Sequence, residues 1–428
     1  MHIQVLNSGM VTKLSSDSDI ESRIVVEVER RRSELIELAR ELIRTPSLSG
    51  QEDELATLIS SHLADLGFEN VRMDEVGNVL GSIGGVADEG CLLLNGHMDH
   101  VPPADMPDPY LAEIKDGTEF GASGDVIVGR GASDMKGALA SMMVAGSVLK
   151  DLDFDLERRL IVAAVVLEEA DGIGSRFLVE NGLAPGGVVI GESTNLEVAL
   201  GHRGFMEITI TTEGQSCHAS APERGVNALH KMIPIMQDIT SASEEIPSHP
   251  ILGKSSMTAT KISVSPNVIN VVPNLCTVSL DVRNTPDFES EQVLQMLRNI
   301  AEQARNQDPD TNVSIELARK SVRSYTGYVR DVHVVTSAFY TAPETPLAQM
   351  AKKITDRTLQ KESKFRLWVF ATDGCHFANR GIPTVGFGPG EERFAHSRMD
   401  NVAIEHIVDS TKVYAGLAAE FCRPPEKS

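Results

Sequence analysis

Cysteine is scarce in this chain: Cys91, Cys217, Cys276, Cys375 and Cys422 are the only five among 428 residues. They are odd in number and no two stand as CxxC, which excludes a disulfide framework and a thiolate zinc site of that spacing. A reducing, cytoplasmic setting is expected instead. Positive charge is also short, with 39 Lys and Arg against 61 Asp and Glu and a formal net charge of −22. A surface of that sign repels a phosphate backbone, so nucleic acid is excluded as a partner. No stretch approaches the ~18 uninterrupted apolar residues of a membrane span, so no membrane partner is expected. The N-terminal MHIQVLNSGMVTKLSSDSD lacks the apolar core of a signal peptide. Residues 1–19 read as a loose polar leader.

What is present fits a globular protein, with 41% hydrophobic and 23% charged residues. The length exceeds what one hydrophobic core usually supports, so two domains are expected. Residues 20–44 read as a helix, because Ile24, Val28, Leu35, Leu38 and Leu42 recur on one side. A second helix runs from the Ser49–Glu52 turn to about Leu66. Short apolar runs follow at Cys91–Asn95, Leu160–Leu167 and Val188–Ile190, with a helix over Lys136–Lys150 between them. Strands alternating with helices predict an α/β fold, a mostly parallel sheet flanked by helices. From Arg203 the pattern changes to a βαββαβ order: strands at Phe205–Thr212, Met257–Val264, Leu275–Arg283 and Asn312–Leu317, and helices near Val226–Thr240 and Ser290–Asn306. The α/β texture then resumes with a helix over Pro346–Leu359 and a strand over Thr384–Gly388. The predicted organisation is a catalytic domain in two parts, 1–202 and 319–428, with an inserted lid and dimerisation domain over 203–318.

Polar residues with metal-binding chemistry collect where the apolar runs end, the place where ligands gather in open α/β sheets. Leu92-Leu93-Leu94-Asn95-Gly96-His97-Met98-Asp99 delivers an imidazole and, two residues on, an Asp; a metal-bound imidazole usually has its second nitrogen pinned by a carboxylate or carbonyl, and Asp99 could be that pin. In Gly129-Arg130-Gly131-Ala132-Ser133-Asp134, Asp134 is either a helix N-cap or a carboxylate bridging two cations. Glu168-Glu169-Ala170-Asp171 places three acids in four residues, which repel unless a cation or solvent compensates them. Adjacent carboxylates can divide the work, one binding metal and the other moving protons. Glu192 ends another apolar run, and His396 follows the glycine-rich turn of Thr384–Gly390. Each alone has a bland reading as a surface or capping group. Together, two imidazoles and several carboxylates suit a pair of zinc, manganese or cobalt ions about 3.5–4 Å apart.

The segments GHMDHVP, GRGASDMKGALA, LEEADGIGS, IGEST and PGEERFAHSRMD resemble the di-zinc metallopeptidase family of carboxypeptidase G, acetylornithine deacetylase and succinyl-diaminopimelate desuccinylase. The resemblance runs from about residue 25 to the end, nearest to a poorly assigned deacylase-like subgroup. It implies that His97 and Glu192 hold one metal and Glu169 and His396 the other, with Asp134 bridging. It further implies that Asp99 orients His97, that Glu168 is the general base and later acid, and that the Asp134–Met135 peptide is cis. Gly214–Pro222 resembles a lid motif whose His, here His218, stabilises the oxyanion, often in the partner's site of a homodimer. Asn270 and Arg283 match lid positions that hold a substrate carboxylate, and Gly374 in Thr372-Asp373-Gly374 matches a turn near the substrate.

The resemblance thus implies a two-metal hydrolase that cuts a C–N bond of a small anionic substrate, an N-acyl or N-carbamoyl amino acid or a dipeptide. The same site would also serve a hydrolytic deaminase of an aromatic amino acid such as a nitroanthranilate, told apart by release of ammonia without a carboxylic acid. A non-catalytic dimerising module on this fold is a third reading, which the intact Glu168 and ligand set oppose.

Overall fold

The computed structural model describes residues 17–424, so most of the expected leader lies outside the described residues. The central sheet has eight strands. Its four middle strands, in spatial order Leu160–Val165, Leu92–His97, Gly187–Ile190 and Thr384–Gly386, run parallel. In register, Leu94 lies between Val162 and Val189. Antiparallel strands such as Val79–Ile83 complete the edges.

Side chains alternate across a strand, so Leu92, Leu94, Val162 and Val189 enter one apolar layer, and Leu93, Ile161, Ala163 and Val188 enter the other. Helices Gly137–Asp151 and Ile404–Cys422 cover the first face, and Ile173–Glu180 and Gly374–Ala378 cover the second. Neither face meets water, which is why these strands read as unbroken apolar runs. The fold is the α/β class expected. Among the described residues, no helix is long and apolar enough to cross a membrane.

Two local expectations differ. Residues 20–44 form two helices, Asp17–Arg30 and Arg32–Arg44. The chain bends at Arg31, whose buried guanidinium turns onto the neighbouring helix to donate to Ser147 Oγ at 2.7 Å and Asp151 at 3.3 Å. Asp134 is not an N-cap: it has φ −131° and ψ 89°, ahead of a helix that begins at Gly137. The Asp134–Met135 peptide is cis.

The second sheet is antiparallel. Phe205–Glu213 lies between Leu275–Arg283 and Asn312–Leu317, and Ser256–Ser265 pairs with the outer side of Leu275–Arg283. Met206, Ile208 and Ile210 alternate inward against helices Ala228–Glu245 and Ser290–Gln307 and build a separate apolar core. A fifth short strand, Val335–Thr336, comes from beyond residue 318 and pairs with Phe205 and Met206. Before it stands a hairpin that the sequence pattern did not reveal, Arg319–Arg323 with Val329–His333. Its turn is tied to the segment that leads into Val79–Ile83, where the Tyr325 hydroxyl donates to the Gly77 carbonyl at 2.8 Å and the Thr326 hydroxyl donates to the Glu75 carbonyl at 2.7 Å.

The loop that carries Asp134 is held from the far end of the chain. Buried Asp400 accepts from Arg130 at 3.1 Å and from the amides of Gly131 and Ser133 at 2.7 and 2.9 Å. Replacing it would strand a buried guanidinium and two amides. Asp400→Ala is expected to lower the unfolding free energy by about 3–5 kcal/mol, measured by urea denaturation; a loss below about 1 kcal/mol would show that this brace carries little.

Candidate metal centre

The parallel strands end at one edge, and the ligand-type side chains converge there. His97 is the last residue of its strand, Glu168 and Glu169 form the turn after Leu160–Val165, and Glu192 follows Gly187–Ile190. Asp134 arrives from the turn before Gly137–Asp151, and His396 from the loop after Thr384–Gly386. His97 Nε2 lies 2.8 Å from Asp134 Oδ1 and 3.3 Å from Glu192 Oε1. His396 Nε2 lies 2.8 Å from Glu169 Oε1 and 3.2 Å from Asp134 Oδ2. Asp134 therefore turns one oxygen to each imidazole, with Glu192 on one side and Glu169 on the other. His97, Asp134 and Glu192 are buried, whereas the His396 side chain is 51% exposed, so the cage opens on the His396 side.

The electrostatics show how much positive charge this cluster can take up. Burial alone would depress His97, but Glu192, Asp134 and Asp99 outweigh it and hold the imidazole well above its ordinary pKa. His396 is raised to about 10 by its hydrogen bonds to Asp134 and Glu169. Glu192 is pushed up to about 8 by burial and by the charge of Asp134, and Glu169 rises for the same two reasons. Burial also works to raise Asp134, but the hydrogen bonds from His396 and His97 win and hold it below the carboxylate range. Glu192 Oε2 is buried without a hydrogen-bond partner among the described residues. Oxygens and nitrogens in this mixture, one of them buried and unpaired, fit divalent cations.

Glu168 stands beside the cage, and one of its carboxylate oxygens lies within ligand distance of atoms of His97 and Glu192. Unlike its neighbour Glu169, it makes no ion pair with an imidazole among the described residues. Burial raises its pKa well above the ordinary value, and the charges of Asp373, Glu192 and Glu169 add to this. Asp99 meets His97 through its backbone rather than its side chain. The His97 Nδ1 contact at 2.8 Å is to the Asp99 backbone carbonyl, while its carboxylate is 3.6 Å away. That carboxylate instead accepts the amides of Glu168 and Glu169 at 3.0 and 3.1 Å and the Ser49 hydroxyl at 2.7 Å. One residue thus sets both the His97 ring and the diglutamate turn.

Ser193 binds three loops together. Its hydroxyl donates to the Ser133 carbonyl at 2.7 Å, contacts the Ser133 hydroxyl at 2.9 Å, and lies 3.3 Å from the Pro389 carbonyl. Gly390, at φ +84°, leaves room for this cluster, since a Cβ there would stand 2.8 Å from Ser133 Oγ. A cavity of about 220 Å³ opens beside Glu168 and Glu169, walled by Thr372, Asp373 and His376 and by Phe205 and Lys320.

The structure does not bring every expected site residue to the cage. Gly374 packs under the Phe339 ring, where a Cβ would come within 2.8 Å, and the wall of the cavity is made by its neighbours Thr372 and Asp373. His218 and Asn270 lie together in the second domain, where the Ala219 amide donates to the Asn270 carbonyl at 3.0 Å and His218 Nδ1 lies 2.7 Å from Ser220 Oγ. Both are exposed, and among the described residues neither bonds to the cage. Arg283 is paired through Nε and Nη2 with Asp281 at 2.9 and 3.1 Å and stacks 4.5 Å above the Phe205 ring centre. Asp373 and Lys320 were missed. Asp373 was visible only as part of a turn, and Lys320 belongs to the hairpin whose alternation and Gly327 turn were the available signal.

The family model described as "Peptidase family M20/M25/M40" matches residues 93–420, a span that begins inside the His97 strand and ends in the last helix. The chain belongs to this family. It is 31% identical over 392 residues to the uncharacterized protein YgeY of Escherichia coli K12, covering 90% of this chain and 94% of that one. It is 25% identical over 407 residues to an acetylornithine deacetylase of Photorhabdus laumondii, covering 90% and 97%. Among solved structures, the Bacillus subtilis YXEP protein, described as a dinuclear metal binding peptidase from the M20 family, superposes with a TM-score of 0.67 at 15% identity, covering 92% of this chain and 99% of that one. As a member of the M20/M25/M40 family, the chain is a metallohydrolase acting on peptide or amide C–N bonds.

In this centre, metal binding and proton binding compete. Raised carboxyls and raised imidazoles alike must lose protons before they can act as ligands. Glu192 holds its proton up to about pH 8 and His396 up to about pH 10, and His97 is raised as well. Metal affinity is therefore expected to climb with pH up to about 10, most steeply below about 8, with protons released on binding. Calorimetric titration of the metal-free protein with zinc or manganese, in buffers of differing ionisation enthalpy, measures this; uptake indifferent to pH would contradict it.

Proposed function

We propose that this enzyme hydrolyses an N-acyl or N-carbamoyl amino acid, or a dipeptide, at a two-metal centre. The observation that carries the reading is the division of labour between adjacent acids: Glu169 pairs with His396 in the cage, while Glu168 stands next to it with a raised proton affinity. His97 and Glu192 would hold one ion, Glu169 and His396 the other, and Asp134 both, with zinc the expected metal and manganese or cobalt suited to the same donors. Two such ions supply Lewis acidity, which makes water nucleophilic at neutral pH and polarises a carbonyl. Glu168 takes the proton from the attacking water onto its carboxylate and passes it to the departing nitrogen. Asp99 keeps Glu168 in place through the amide of that residue and keeps His97 facing inward.

The lid would complete the site. Asn270 and Arg283 supply donors for the substrate carboxylate, and a guanidinium matches that group bidentately. His218 would steady the developing oxyanion. Its lack of any bond to its own cage, together with the unpaired outer edge of Ser256–Ser265 and exposed Ile262 among the described residues, favours a homodimer in which His218 serves the partner's site.

Glu168→Ala is expected to retain both metals, by elemental analysis, and to lose about 10²- to 10⁴-fold in kcat on an N-acyl amino acid panel. Undiminished turnover would remove Glu168 from this role. His218→Ala is expected to be similarly impaired with metals kept. Mixing the two inactive variants, unfolding and refolding them together, should restore a fraction of activity, because a mixed dimer then contains one intact site. No recovery from demonstrably mixed dimers would place His218 in its own subunit's site.

A further inference from the structure

The cavity beside Glu168 contains a cation that the proposed mechanism does not use. Among its lining residues, Lys320 is the one lysine or arginine. The other nitrogen base in the wall, His376, is pushed down to about 4 by burial and brings no positive charge near neutral pH. Lys320 Nζ lies 2.7 Å from Asp171 Oδ2, so it compensates the third acid of the Glu168-Glu169-Ala170-Asp171 run. An ammonium carries three donors, and Asp171 Oδ2 meets it as a charge contact rather than as a hydrogen-bond acceptor. The Lys320 side chain is 41% exposed and lines the cavity.

The lysine does not ride on a loose segment. It sits on the hairpin Arg319–Arg323 with Val329–His333, whose turn is bonded to Gly77 and Glu75 of the segment that leads into Val79–Ile83. Arg330 on the returning strand pairs with Glu180 at 2.6 Å. Asp171, by its place in the chain, fixes the ammonium two residues from Glu169. Arg283, in contrast, belongs to the second sheet, has two donors occupied by Asp281, and stacks on Phe205, another lining residue. Lys320 thus lines the cavity directly, while Arg283 stands against its Phe205 wall, and the two are carried by different parts of the molecule.

We propose that Lys320 recognises a second anionic group on the substrate, one distinct from the carboxylate assigned to Arg283, so that the enzyme prefers N-acyl amino acids or dipeptides with an acidic side chain. This specificity deepens the amide-hydrolase reading and rests on it. Asp171 keeps the ammonium pointed into the cavity before substrate arrives and shares it afterwards. A neutral side chain of the same shape would leave that ammonium partly desolvated without a new partner, which is the basis of discrimination.

The test uses matched pairs that differ only in the second anion: N-acyl-glutamate against N-acyl-glutamine, and N-acyl-aspartate against N-acyl-asparagine, on the metal-loaded full-length enzyme. Wild type is expected to favour the acidic member in kcat/KM by about ten- to a hundredfold. Lys320→Met should abolish this preference, lowering kcat/KM for the acidic member and raising it for the neutral one, Lys320→Arg should restore part of it, and Arg283→Met should weaken both members alike. Metal content of Lys320→Met should match wild type, and its circular dichroism should show a folded protein. Equal loss on both members, or no preference in wild type, overturns the role of Lys320 and leaves the hydrolase reading standing. Calorimetric binding of the same pairs to metal-loaded Glu168→Ala separates the two ideas. Preferential binding of the acidic member that depends on Lys320, without turnover of any pair by wild type, supports the lysine and sinks the amide reading. Absence of both binding and turnover overturns both.

Discussion

Three carboxylates and two imidazoles meet within hydrogen-bond distance of one another, four of the five with little access to water. Like charges at that separation and in that dielectric repel strongly, so the arrangement persists only because something positive is shared among the acids. The imidazoles supply this when they hold protons, and divalent ions would supply it more fully. The raised proton affinities of His97, His396, Glu169 and Glu192 all express that one requirement.

The fold is arranged to hold this cluster together. Parallel strands bring four separate stretches of chain to one edge, and the apolar layers on both faces make that edge rigid. Long-range polar contacts then set the loops: Asp400 grips the Asp134 loop from more than 260 residues away, and Ser193 links the Asp134, Glu192 and Pro389 segments. Asp99 reaches from the His97 strand to the amides of both glutamates, so one residue, through its carbonyl and its carboxylate, positions His97, Glu168 and Glu169. The tightness of the scaffold is also visible at Gly172, where a Cβ would fall 2.4 Å from Asp373 Oδ1 and 2.5 Å from His376 Nε2.

The residues proposed to recognise substrate come from a different part of the molecule than the cage. The cage and Glu168 are built from the catalytic sheet, while Phe205, Arg283, His218 and Asn270 come from the second sheet and its loops. A hairpin between the two, bearing Lys320, is bolted to the first and reaches the cavity. Such a division allows the substrate to change without rebuilding the metal site.

Much of this was legible in the sequence, because strands buried on both faces must be continuous apolar runs and the groups that follow them must emerge at one edge. His97, Glu168, Glu169 and Glu192 were readable from that rule, and the alternation of Met206, Ile208 and Ile210 showed a half-buried strand. Tertiary structure decided what depends on partners distant in the chain. Arg31 looks like a surface charge until the helix carrying Ser147 and Asp151 packs against it and splits the expected helix. Asp99 shows a carboxylate in sequence, yet the atom facing His97 is its carbonyl. Lys320 is one of several basic residues in its stretch, and only the hairpin's anchorage places it beside Asp171 and Glu168. Local order follows from periodicity along the chain, whereas a site's charge balance is set by groups that only folding brings within a few ångströms.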